Sequence, residues 1–309
     1  MSQGEKKRPP GLGTSRPFQM VSAILREALV PQPPETLYHY TDQQGLLGIL
    51  ENKEIWATHT QYVNDEMEFQ LAEKLIVEEI KEQMKAAVDT EKNILSDMLS
   101  GAEGGRHTAN VCVCSFSQER DSLSQFRAYG GSTGGYAIGF DGGFLKKIAD
   151  REQSYLVRCV YEDDCQREFV RAFVTVILRW NKKSLNSGHY PRPLRGGHLP
   201  SSLLQCAPIL KHPSFKHENE WRIVSRLLDG PKERRKKRFG HRPGKSMVIP
   251  FYRIRLSDRN ARMQIKEIVI GPTPHKEQSL LSIEGLLGDY GYDMTEVGVD
   301  LSKAPYRDW

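Results

Sequence analysis

Val111-Cys112-Val113-Cys114-Ser115-Phe116-Ser117 is the stretch that decides the fold. β-Branched, thiol and aromatic side chains run without a charge until two serines close the run, which is the pattern of a buried strand. Alternation places Cys112 and Cys114 on one face. Upstream, beyond the glycines of 101–105, the texture is helical; downstream it is strand-like.

On the upstream side, Leu37–Tyr40 reads as a short aromatic strand. Thr41 starts a helix, with Gln44 at the capping-box spacing and Leu46, Leu47, Ile49 and Leu50 as its apolar stripe. Glu54–Thr58 reads as a second strand. Asn64 and Asp65 then open one long helix carrying Met67, Leu71, Leu75, Met84 and Val88, broken before Ala109. Downstream, strands are expected at Tyr136–Phe140, Tyr155–Tyr161, Trp221–Leu228, Met247–Leu256, Ile265–Ile270 and Met294–Val299. Helices are expected at 142–150, 164–180, 201–210 and 276–289, with long loops at Asn181–Pro200 and Asp229–Ser246. Irregular segments separate the strands instead of regular crossover helices, so the pattern favours a mixed, largely antiparallel α+β fold. Residues 1–34 read as a flexible leader with a short amphipathic stretch at Phe18–Val30, and 35–309 as a single domain.

At 309 residues and 38% apolar side chains the chain can bury a sizeable core. No window approaches the roughly 20 apolar residues of a membrane span, and the first thirty residues hold no apolar signal core, so a cytoplasmic location without membrane partners is expected. Five cysteines without zinc-type spacing read as core thiols, with no metal expected. The net charge of +5 is local: residues 230–245 hold eight Lys or Arg against Glu233, and the rest of the chain is slightly acidic. Within that run, Arg234, Arg235, Lys236, Lys237 and Arg238 are the candidate nucleic-acid contacts, although a solvated loop accounts for them equally.

No Walker-type loop, Gly-x-Gly-x-x-Gly after a strand, His-Glu-x-x-His helix or Gly-x-Ser-x-Gly elbow is present. Polar residues at strand edges remain. His39 lies between Tyr38 and Tyr40, which share the opposite face, and it reads either as a ligand contact or as a hydrogen-bonded strand end. Ser115 and Ser117 close the central strand. Arg127 sits in the aromatic, glycine-rich stretch Phe126–Gly130, where a planar guanidinium suits a diphosphate or a nearby carboxylate. Glu218 and Glu220 open an apolar strand two residues apart, so both would share a face, and like charges held together would raise one pKa.

These pieces resemble the bacterial domain-of-unknown-function family 2971. The resemblance is carried by Leu-Tyr-His-Tyr-Thr at 37–41, Asn-Asp-x-x-Glu-Phe at 64–69, Ser-Phe-Ser at 115–117, Asp-Ser-Leu-Ser-Gln-Phe-Arg-Ala-Tyr-Gly at 121–130, Glu-Trp-Arg at 220–222 and Ile-Gly-Pro at 270–272. That family in turn is similar to the ADP-ribosyltransferase superfamily. The resemblance implies a split, mainly antiparallel sheet with flanking helices that clasps NAD⁺ as substrate. It implies Glu220 as the catalytic glutamate, Glu218 as general base, and His39, Tyr40, Thr41, Ser115, Phe116, Ser117, Arg127, Tyr136 and Arg222 around the cofactor. Trp56, Tyr62, Phe116 and Tyr136 all compete for the aromatic that stacks on nicotinamide.

The chemistry matches those residue types. Breaking the nicotinamide–ribose bond develops positive charge on the ribose, which a fixed carboxylate stabilises more in the transition state than in the ground state. The expected function is ADP-ribosyl transfer to a protein or nucleic-acid acceptor, in the manner of a toxin or phage-defence effector. NAD⁺ hydrolysis and non-catalytic nucleotide sensing are the competing expectations.

Overall fold

The computed structural model describes residues 32–63, 66–103, 111–131, 134–186, 206–225, 228, 238–244, 246–257 and 262–304. The expected leader, the helix start at Asn64 and Asp65, and most of the loop at 181–200 lie outside these residues. Among the described residues ten strands form one sheet in the order β10 (Gly298–Leu301), β9 (Ile265–Ile270), β4 (Tyr136–Asp141), β1 (Thr36–Thr41), β3 (Cys112–Ser117), β2 (Glu54–His59), β8 (Val248–Arg255) and β7 (Phe239–Pro243), with β6 (Glu220–Val224) paired to β3 and β5 (Tyr155–Arg158) paired to β6. Every pairing is antiparallel except β10 with β9.

The central strand of the sequence, β3 (Cys112–Ser117), is also the centre of the sheet. It has three neighbours. β6 (Glu220–Val224) runs along one edge, pairing from Val113–Val224 to Ser117–Glu220. The other edge is shared: β1 (Thr36–Thr41) meets it at Tyr38–Ser117, and β2 (Glu54–His59) at Thr58–Val113 and His59–Cys112. A strand has two edges, so β1 and β2 must part between those contacts, and the sheet forks alongside Cys114–Phe116.

Two layers of helix cover the sheet. On one face α2 (Glu66–Ala86), α3 (Asp89–Glu103) and α6 (Asp163–Asn186) press Ile76, Ile80, Leu95, Met98, Phe173 and Val174 onto Val113, Val157 and Val224. On the other, α1 (Gln43–Asn52), α5 (Gly142–Arg151) and α7 (Lys276–Asp289) pack on Leu37, Cys112, Cys114, Phe116, Trp221 and Ile268. Tyr38 and Tyr40 form a small third cluster with Phe126 of α4 (Leu123–Tyr129), while Leu37 faces the other way, as strand alternation requires.

Several elements depart from the sequence reading. The cap of α1 is Asp42, which accepts from Gly45 N at 2.7 Å, while Thr41 stays in β1. The long helix after residue 64 divides at Ala87–Val88, and two helices allow an antiparallel hairpin to lie on the sheet. The expected loop 229–246 contains β7 (Phe239–Pro243), which pairs with β8 (Val248–Arg255). The helix expected at 201–210 is, where described, a 3₁₀ turn at Ala207–Ile209. The last strand is β10 (Gly298–Leu301), later than expected. Of the expected core thiols, Cys112, Cys114, Cys159 and Cys206 are buried and Cys165 is exposed. β4 (Tyr136–Asp141), β5 (Tyr155–Arg158) and β9 (Ile265–Ile270) complete the sheet.

Glycine is obligatory where α4 turns into β4. Gly135 has φ +68, and a Cβ there would lie 2.2 Å from the Gly130 Cα. At Gly48 in α1, by contrast, an added Cβ would meet nothing within 4 Å. Denaturant melts are expected to show Gly135→Ala destabilised by more than about 1 kcal/mol. Gly48→Ala is expected to gain roughly 0.5–1 kcal/mol.

Candidate functional site

The N-terminal end of β6 begins with a carboxylate and an arginine that are both buried. Glu220 and Arg222 are each 4% exposed. Arg222 uses all five of its N–H groups inside the protein. Nε donates to Glu220 Oε1 at 2.7 Å and one Nη2 hydrogen to Glu220 Oε2 at 3.0 Å. The remaining donors reach both oxygens of Glu68 at 2.6 Å and the carbonyl of Pro208 at 2.8 Å. That full occupancy explains how a guanidinium survives burial, and it leaves Arg222 no donor for a diphosphate. The expected cofactor contact from Arg222 is therefore replaced by a structural one.

Lys211 supplies the second cation. Its ammonium donates to Glu218 and to Glu220, and stands 4.0 Å from Glu68. The backbone around it is tied down: Lys211 N donates to Val160 O at 3.0 Å, and the buried Gln166 amide bridges the carbonyls of Val160 and Lys211 at 2.8 Å each. Phe215, partly exposed, sets its ring 5.2 Å from the ammonium.

Glu218 does not lie on the strand. It ends a 3₁₀ turn, Pro213–Glu218, and Asn219 at φ 42 reverses the chain before β6. The two glutamates still converge, because Lys211 holds both. Burial opposes ionisation of Glu220, but the Arg222 and Lys211 charges outweigh it and bring its carboxyl down to about 2. For Glu220 the expectation of a raised pKa is thus corrected: Lys211 lies between the two carboxylates, and Arg222 pairs with Glu220 from its other side. Lys211 loses to burial but gains more from Glu220, so its pKa rises.

The turn is fastened to the end of β3. Ser117 Oγ donates to Glu218 O at 2.6 Å, Gln118 N to Asn219 O at 3.1 Å, and the Tyr161 hydroxyl accepts from Glu220 N at 2.9 Å. Ser115 and Ser117 stand directly opposite Arg222 and Glu220 across the β3–β6 ladder. These four residues share a face.

His39 lies on the other face. Its Nδ1 is 2.9 Å from the Ser115 carbonyl, to which it donates, and its ring packs against Phe116 with centroids 5.7 Å apart. Burial lowers its pKa, so the imidazole is neutral, with Nε2 as its remaining acceptor. Tyr40 spends its hydroxyl on Glu119 O and Ser122 N. Phe116 is core, Thr41 and Tyr136 are half-buried partners in the β1–β4 ladder, and Arg127 is exposed on α4. Arg238 pairs with Glu152 at 3.0 Å and lies over Tyr252, while Arg234, Arg235, Lys236 and Lys237 lie outside the described residues.

Three participants were missed. Glu68 belongs to the quoted Asn-Asp-x-x-Glu-Phe string, Tyr129 to the Arg-Ala-Tyr-Gly string, and Lys211 to no motif. Tyr129 is 43% exposed and within electrostatic range of Glu220, Lys211, Arg222 and Glu218. Trp56 instead stacks on Phe251, and Tyr62 meets His59 edge to face.

The site therefore defines a mixed α/β protein with a largely antiparallel open sheet and a buried five-residue ion cluster beside its fork. A family model described as a protein of unknown function, DUF2971, matches residues 125–223, from α4 to β6, so the chain is similar to that family over the segment that supplies Tyr129, Lys211, Glu218, Glu220 and Arg222. No curated protein and no solved structure matches the chain. Among the described residues, no helix is long and apolar enough to cross a membrane.

Glu220 titrates near 4.5 when unfolded and about 2 when folded, so its contribution to stability is complete above pH 4.5 and fades as pH falls towards 2. Lys211→Met leaves Glu220 and Glu218 short of a cation and is expected to cost about 3–5 kcal/mol at pH 7. Denaturant melts at pH 7, 4.5 and 3 should show that deficit shrinking with acid.

Proposed function

We propose that the ion cluster is the catalytic end of an NAD⁺-cleaving site, with Glu220 as the carboxylate that stabilises positive charge on the ribose. One observation carries the reading. Three carboxylates, Glu68, Glu218 and Glu220, face two cations, Lys211 and Arg222, so the cluster holds a formal charge of −1 with Glu220, Arg222 and Lys211 each about 5% exposed or less. An uncompensated negative charge in a desolvated setting is costly and is relieved by a cation. NAD⁺ carries a positive charge on its nicotinamide ring, and cleavage moves that charge to the oxocarbenium-like ribose as the bonding pair leaves with neutral nicotinamide.

In this reading Glu218, with the most exposed side chain of the five at 16%, is the group able to reorient and take a proton from the acceptor. Tyr129, 43% exposed and within electrostatic range of the cluster, replaces the four aromatics weighed from sequence as the surface for nicotinamide. Ser115 and Ser117 share the Glu220 face, whereas His39 offers Nε2 from the other face. A dinucleotide touching both would therefore run through the fork between β1 and β2.

Both oxygens of Glu220 are engaged by Arg222 and Lys211, which favours a second reading: an ion network that simply ties α2, the Lys211 segment and β6 together. The two readings diverge on one variant. Glu220→Gln brings the cluster to formal neutrality but sets an amide NH₂ against a donor of Arg222 or Lys211, so the fold is expected to persist with reduced stability. Nicotinamide release from NAD⁺ is expected to fall about 10²–10³-fold, the usual cost of one lost preorganised electrostatic partner. A large drop in melting temperature with unchanged turnover establishes the structural network instead.

His39→Ala is expected to weaken binding of a non-hydrolysable NAD⁺ analogue in calorimetric titration by more than it lowers stability, the stability loss coming from the Ser115 carbonyl left without its donor. Wild-type affinity would confine His39 to its bond with the Ser115 carbonyl.

A further inference from the structure

The outer wing of the sheet, β2-β8-β7, carries a surface unrelated to the ion cluster. Register pairs Glu54 with Arg255, Trp56 with Arg253, Thr58 with Phe251, Gly240 with Phe251 and Arg242 with Ile249, so these side chains share one face. The alternate residues Ile55, Ala57 and Ile254 point the other way, into the core.

On that face Trp56 is 45% exposed and lies flat on Phe251, with ring centroids 4.0 Å apart and planes 16° from parallel. Phe251 is 2% exposed yet belongs to none of the three core clusters. Trp56, Gly240 and Arg253 lie against its ring. Behind the ring, Gly240 leaves the space that Phe251 occupies: a Cβ there would stand 2.5 Å from Phe251 Cζ. The indole is thus a rigid, backed platform presented to solvent.

Arginines surround it. The Arg253 guanidinium stands 5.1 Å from the Phe251 ring centre, Arg242 donates to Thr58 Oγ1 at 3.3 Å, and Arg255 follows along β8. Glu54 lies 3.7 Å from both Arg253 and Arg255. Pairs of that length at a solvated surface contribute little and yield readily to a competing anion. By sequence, the most basic stretch of the chain, residues 230–245, leads into and includes β7.

We infer that this face binds single-stranded nucleic acid, with an unpaired base on Trp56 and backbone phosphates on Arg242, Arg253 and Arg255. A flat aromatic ring is common to every base, so stacking is sequence-tolerant, while planar guanidinium forks suit phosphate oxygens. An acidic peptide would satisfy the arginines and leave the indole uncovered. A duplex keeps its base faces inside the helix. The inference is independent of NAD⁺ chemistry.

The test uses the full chain with fluorescein-labelled oligo(dT) and oligo(U) of about 15 nucleotides, read by anisotropy across a salt series, with binding to either strand type expected. Trp56→Ala is expected to weaken binding about 5- to 150-fold. Arg242→Gln should lower the log–log salt slope by about 0.7 for one lost phosphate contact. Trp56→Phe should keep most of the affinity and abolish the quenching of tryptophan fluorescence that the oligonucleotide causes, which controls for misfolding of the alanine variant. Absence of binding at low salt overturns the inference. So does equal affinity of Trp56→Ala and wild type, or equal affinity for a duplex of the same length or for poly-glutamate.

Discussion

Everything around the fork depends on how Arg222 is held. A guanidinium this deep persists only because each N–H has an acceptor: two carboxylates and the Pro208 carbonyl. Those acceptors come from α2, from β6 itself and from the segment leading to Lys211. Satisfying one side chain therefore fixes the relative position of three elements, and Lys211 then places Glu218 and Glu220 around a shared ammonium.

The fork is the second constraint. Because β6 occupies one edge of β3, β1 and β2 must share the other, and the middle of that edge has no strand ladder. His39 supplies one substitute by donating to the Ser115 carbonyl. A buried carbonyl needs a partner, so this imidazole serves the fold whether or not a ligand meets its Nε2. The same reasoning separates the two faces: serines and ions on one, cysteines and Phe116 on the other.

Much of this was legible in the chain. The strand at 111–117 and the opposed faces of His39 and the pair Tyr38 and Tyr40 follow from alternation, and Glu220 stood out as a charge opening an apolar run. What Arg222 does was misread, because a sequence shows a cation and not the saturation of its donors. Glu68 lay in a quoted motif without a role. Lys211 carried no signal, since a single lysine before His212-Pro213 looks like any loop lysine. β7 was hidden in a basic run, where charge dominates the composition and only pairing to β8 makes a strand.

By itself the sequence determined most of the strands and helices, their apolar faces and the concentration of basic charge, because periodicities of 2 and 3.6 residues act over a few neighbours. The tertiary structure alone decided which charges meet. Glu68 and Arg222 are 154 positions apart, and Lys211 meets Glu218 and Glu220, seven and nine positions later, only because a 3₁₀ turn folds the chain back. Such pairings are set by how helices and strands stack around a sheet. The low pKa of Glu220 and the exposure of Trp56 depend on neighbours that exist only once those elements are packed.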